Sequence, residues 1–123
     1  MSAELNEKWH ELVKAGRAEW MPGMLDQAGY TFLNSADGSL WDEPRWDYGW
    51  GWAWLPVEGR LPNWSDPATL GALLGQVRAR WKDPATHAVP DGDWHVRGDL
   101  PWAQYGTGDT EAEALLAALE AAP

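Results

Sequence analysis

Nine consecutive residues, Trp46-Asp47-Tyr48-Gly49-Trp50-Gly51-Trp52-Ala53-Trp54, carry an aromatic ring at every even position and, apart from Asp47, a small residue at every odd one. A period of two belongs to a β-strand. One face of that strand is Trp46, Tyr48, Trp50, Trp52 and Trp54; the other is Asp47, Gly49, Gly51 and Ala53. Such a strand needs either a cover for its bulky face or a partner to fill that role. The rest of the chain explains why the rings matter. It has 14 Leu, 5 Val, no Ile and 1 Phe in 123 residues, with a formal net charge of −10. So few aliphatic side chains with that charge describe a disordered chain. Eleven Trp and 3 Tyr reverse the inference, because an aromatic ring buries far more surface than a Val. Indoles are therefore expected to fill the interior. Trp50 and Trp52 are read as core, and Trp46 and Trp54, at the ends of the ladder, as anchors for a partner. The alternative reading is a stacking platform for a glycan or a nucleobase.

Several classes are excluded by the same composition. No run of 18 apolar residues is present, so no membrane span is expected. The acidic start, Met1-Ser2-Ala3-Glu4, does not read as a secretory signal. With no Cys, disulfides, thiolate metal sites and cysteine nucleophiles drop out. The charge disfavours direct contact with nucleic acid, whose phosphates are bound by Lys and Arg. A single cytoplasmic domain over residues 1–123 is expected.

Along the chain, Leu5, Trp9, Leu12, Val13, Gly16 and Trp20 share one helical face, which predicts a first helix over 3–19 with Ser2 as N-cap. Pro22 opens a short turn ending at Gly29. Residues 30–35 read as a strand, Asp37-Gly38 as a hairpin turn and Leu40-Trp41 as the return. Asp66 and Pro67 are the N-cap and first residue of a second helix reaching about residue 82. Its buried stripe is Leu70, Leu73, Leu74, Val77 and Trp81, and Gly71 and Gly75 beside it are read as points of close approach. Residues 85–91 are expected to be loop. Residues 93–97 alternate as a strand, with Trp94 and Val96 inward and Asp93, His95 and Arg97 outward; 102–105 pair back after a turn at Gly98-Asp99. Thr110 and Glu113 make a capping box for a last helix ending near 121, with Leu115, Leu116 and Leu119 inward. The fold class is α+β: a mostly antiparallel sheet of four or five strands packed by three amphipathic helices, sandwich-like.

Three segments carry a resemblance: Trp20-Met21-Pro22-Gly23-Met24-Leu25, the stretch from Leu61 to Gly71 that opens the second helix, and the stretch from Thr110 to Pro123. Together they resemble small uncharacterised tailed-bacteriophage proteins, similar in layout to phage α/β/α sandwich domain proteins. The resemblance implies a phage or prophage accessory protein working in the host cytoplasm, with an anti-CRISPR or other anti-defence role as its concrete form. It brings no catalytic residues with it.

No catalytic constellation stands out, and no cofactor or metal is expected. Asp91, Asp93, His95 and His87 form a conceivable ligand set, but the strand spacing holds neighbours about 6.6 Å apart, and a solvated face with Asp93 and Arg97 paired around His95 is the plainer reading. Gly106-Thr107-Gly108 precedes a helix, yet Asp109, Glu111 and Glu113 would repel an anion there. What remains is acidity. Residues 1–82 carry a net −3 and residues 83–123 a net −7. Asp91, Asp93, Asp99, Glu111 and Glu113 are therefore the expected contacts to the basic surface of a host protein, with Trp46 and Trp54 as anchors. A phage assembly component is a further alternative.

Overall fold

The computed structural model describes residues 2–27, 32–34, 40–42 and 60–123, with only the backbone of Ser2, 32–34 and 40–42. The elements are α1 (Ser2–Lys14), β1 (Phe32–Asn34), β2 (Leu40–Asp42), α2 (Pro67–Trp81), β3 (His87–Asp91), β4 (Asp93–Arg97), β5 (Gln104–Gly108) and α3 (Glu111–Ala121). The aromatic ladder, with Trp46, Trp50, Trp52 and Trp54, lies outside the described residues. The chain divides into two compact units, one of Met1–Glu19 with Leu73–Pro123 and one of Trp20–Ala72.

The protein is α+β; the described residues form three helices and a three-stranded antiparallel sheet in the order β3-β4-β5. A single sheet of four or five strands is not formed among the described residues, because β1 and β2 pair only with each other.

In the first unit, α1 stops at Lys14, a turn earlier than its apolar spacing suggests. Gly16 explains the stop. It sits at φ +72°, its N–H bonds Val13 O, and the N–H of Arg17 bonds Leu12 O at 2.8 Å. That pair of bonds is a Schellman cap, which wants glycine at its left-handed position. The same device ends α2 with Lys82 at φ 52°, while Asp83 N–H bonds Arg78 O at 3.0 Å. Helix α3 opens as its capping box foretells: Thr110 Oγ1 accepts from Glu113 N–H at 3.2 Å. The Glu113 carboxylate returns to Asp109 N–H at 3.0 Å.

Residues 87–91, expected as loop, are strand β3, paired from His87↔Arg97 to Asp91↔Asp93 across a turn at Gly92. Pro90 hid it. A proline is tolerated on an edge strand, where the missing N–H costs no ladder bond, and β3 is an edge. In β4 only Val96 is fully buried, while Trp94 is half-buried. Helix α3 packs on β5, β4 and β3, and α1 packs on α3. The interior of this unit is Leu5, Trp9, Leu12, Leu73, Val77, Val96, Leu115, Leu116 and Leu119, with alanines between them. Trp9, 1% exposed, is the one indole in that set; leucine and alanine do most of the filling here.

The close approach of helix to strand falls on other glycines than expected. Among the described residues, a Cβ on Gly71 or Gly75 would meet nothing within 4 Å. A Cβ on Gly106 would lie 2.6 Å from Ala118 N, and one on Gly108 2.8 Å from Ala114 N. The glycines of β5 let α3 lie flat against the strand.

In the second unit, β1 and β2 form the expected hairpin, with Phe32 opposite Asp42 and Asn34 opposite Leu40. Met21, Pro22, Gly23 and Met24 make a turn closed by Met24 N–H to Met21 O, with Gly23 at φ +91°. Residues 25–27 pair with 61–63 around an Asp26↔Pro62 bridge. The Asp26 side chain, 4% exposed, accepts from Arg60 Nη1 at 2.8 Å. Asp66 caps α2 as expected, taking Thr69 N–H at 2.9 Å.

Candidate functional site

The register of the three-stranded sheet sorts the acidic residues by position. Asp91 faces Asp93 at the β3–β4 turn, and Trp94 faces Gly108. The end of β5, with Asp109 and the first turn of α3, therefore lies at the same end of the sheet as Asp91 and Asp93. Asp91, Asp93, Asp109, Glu111 and Glu113 share that end. Asp99 does not: it follows β4 at the opposite end, one strand length or about 17 Å away. Of the five carboxylates predicted from sequence, four are brought together and one is set apart. Asp109, noted from sequence at the start of the last helix but not among the expected contacts, joins the group.

These carboxylates differ in what occupies them. Asp91 pairs with Arg97 Nη2 at 3.1 Å, so the cation expected beside Asp93 reaches across to the neighbouring strand instead. Glu113 serves the cap of α3. Asp93 and Asp109 are exposed and Glu111 is half-exposed, and the carboxylate of none of the three has a hydrogen-bond or ion-pair partner among the described residues. Arg97 is the only cation among residues 83–123. Carboxylates standing within a Debye length of each other, about 8 Å at physiological salt, reinforce one another's potential.

His95 lies on the outer face of β4 with both ring nitrogens engaged. Nε2 lies 3.1 Å from Asp91 O, and Nδ1 lies 3.1 Å from Gln104 Nε2. Both ring nitrogens thus have a hydrogen-bonding neighbour, one on β3 and one on β5. No group of three His, Asp or Glu among the described residues is arranged to hold one.

A tight polar cluster forms a clasp at the other end of the sheet. Asp83 Oδ2 accepts from Tyr105 Oη at 2.6 Å and from Asp99 N–H at 3.0 Å, and Oδ1 accepts from Ala85 N–H at 3.1 Å. The Tyr105 ring stacks on Trp81 with centroids 4.1 Å apart, and Trp81 Nε1–H bonds Ala118 O at 2.9 Å. The Tyr105 hydroxyl holds the Asp83 carboxyl below its ordinary value, helped by the Asp99 amide. The same bond pushes the Tyr105 phenol up. Both shifts lead away from neutrality, whereas an acid–base catalyst needs a value near the working pH. The clasp is a structural fastening.

The basic end of α2 is likewise committed to structure. Arg78 Nε–H bonds Thr86 O at 2.8 Å, and Arg80 bonds Gly16 O. An open depression of about 390 Å³ beside them is lined by Glu19, Gln76, Ala79, Arg80, Lys82 and Pro123. The Gln76 amide within it is satisfied at both ends by the Glu19 backbone.

Sequence reasoning missed Trp102, which is 77% exposed. Its signal was Pro101 directly before it, a turn residue that places the next side chain at a loop tip. Comparison with family models, curated proteins and solved structures finds no match.

Proposed function

We propose that this chain is a non-enzymatic binding protein that docks the acidic end of its sheet onto a Lys- and Arg-rich surface of another protein. One observation carries the reading: the register and the capping of α3 gather Asp91, Asp93, Asp109, Glu111 and Glu113 at one end of the sheet–helix unit. A preformed patch of one sign steers a basic partner into register and raises its association rate. Proteins that handle nucleic acid carry such basic surfaces, and the patch would occupy one in place of phosphates. The resemblance to tailed-phage proteins makes a host-defence protein the concrete target class.

The test is capture from host lysate at 50 and 500 mM salt, followed by titration of the purified partner. Asp93→Lys, Asp109→Lys and Glu111→Lys combined are expected to weaken binding by roughly tenfold or more at low salt, mainly through the on-rate. Salt alone is expected to weaken the wild type in the same direction. Affinity indifferent to both salt and charge reversal refutes the proposal.

A further inference from the structure

We infer that the turn between β4 and β5 is a second contact point, a rigid anchor whose Trp102 and Leu100 enter an apolar socket of a protein partner with a Lys or Arg at the rim for Asp99. Trp102 is 77% exposed and Leu100 49%. Folding gains little from either, yet the loop that presents them is firmly built. Ala103 N–H bonds Leu100 O at 2.9 Å, closing a β-turn over Pro101 and Trp102. Pro101 in the second position presets the backbone angle that turn needs. Gly98 N–H bonds Ala103 O at 2.9 Å at the base of the loop, and Asp99 N–H is held by Asp83. Gly98 is itself required there: a Cβ would lie 2.5 Å from both Asp83 Oδ2 and Tyr105 Oη. A turn fixed at these points loses little further backbone freedom on binding, and an indole has only two side-chain torsions left to order. That is the condition for an anchor residue.

Charge and area choose the occupant. Residues 98–103 contain Asp99 and no cation, and the whole chain carries −10. Anionic headgroups would repel such a tip, since lipid surfaces attract basic segments. Two side chains also expose far less than the roughly 800 Å² per partner of a stable interface, too little for a tip-to-tip dimer. A socket in a basic protein suits both the indole and the carboxylate.

The inference rests on the proposed reading that the partner is a basic protein, and the experiment separates the two. A photo-crosslinking phenylalanine analogue, which keeps an aromatic ring at the anchor position, is placed at position 102 in one version of the full chain and at position 111 in another, and both are irradiated in host cells. The expected result is the same protein attached from both positions. Titrated against that purified protein, Trp102→Ala should bind roughly 30-fold or more weakly, the size of an anchor truncation, with its melting temperature unchanged. Asp99→Lys should also weaken binding. Attachment from position 111 alone, or full affinity of Trp102→Ala, overturns the anchor and leaves the acidic end standing. Attachment of position 102 to phospholipid or to a second copy of the chain also overturns it. Loss of affinity in Trp102→Ala with none on reversing Asp93, Asp109 and Glu111 sinks the acidic reading instead. No attachment from either position overturns both.

Discussion

Gly106→Ala tests the packing on which the first unit is built. The added Cβ would sit 2.6 Å from Ala118 N and 3.1 Å from Ala118 Cα, and would also press on Ala114 O. Ordinary contacts to carbon lie near 3.5–4.0 Å, so about 1 Å must be found. The atoms in the way are helix backbone, which no rotamer change can move. Overpacking of this kind costs about 1–3 kcal/mol. For 123 residues, an unfolding entropy of about 2.1 cal/mol/K per residue makes each kcal/mol worth about 4 °C in melting temperature. The expected fall is therefore about 4–12 °C. Gly75→Ala is the paired control, because its Cβ meets nothing within 4 Å among the described residues. Replacing a glycine inside a helix gains up to about 1 kcal/mol, so this variant should melt about 4 °C higher. Calorimetry or far-UV circular dichroism reads both. A Gly106→Ala chain that melts at or above the wild type would mean that α3 does not lie against β5 as described.

Lys82→Gly should raise the melting temperature by about 4 °C, since a non-glycine residue in the left-handed region gives up about 1 kcal/mol; an unchanged or lower value counts against the cap. Thr110→Ala should lose about 1 kcal/mol with the N-cap bond of α3, visible as a shift in denaturant midpoint with an unchanged slope. Arg60→Ala removes one charge-assisted hydrogen bond from the nearly buried Asp26 carboxylate and should cost about 1.5–3 kcal/mol; denaturant titration giving under 1 kcal/mol would refute that. The clasp sets a pH dependence. The Asp83 carboxyl is depressed in the folded state, so its contribution is present above the ordinary carboxylate value near 3.9 and is lost as pH falls through the lower folded value. The Tyr105 phenol is raised, so its share is present below about pH 10 and is lost above it. Asp83→Asn should flatten the acid limb of a stability–pH curve, and an unaltered limb would show that the bond contributes nothing there.

Features that close within a few residues could be read from the amino-acid order. Asp66 and Thr110 cap helices because the amides they satisfy lie three positions ahead. The β1–β2 hairpin and the alternation of β4 are legible for the same reason, since neighbouring residues impose them. Long-range placement could not be read in this way. Two glycine pairs were available, and among the described residues only the arrival of α3 makes Gly106 and Gly108 indispensable while Gly71 and Gly75 stay open. Pro90 sits in a strand because that strand is an edge. Asp99 parts from the other carboxylates because β4 runs the length of the sheet between them, and Trp102 stands in solvent although composition counts every indole as filling. A cap depends on atoms a few bonds away, whereas burial and charge clustering depend on which distant segments the fold sets side by side.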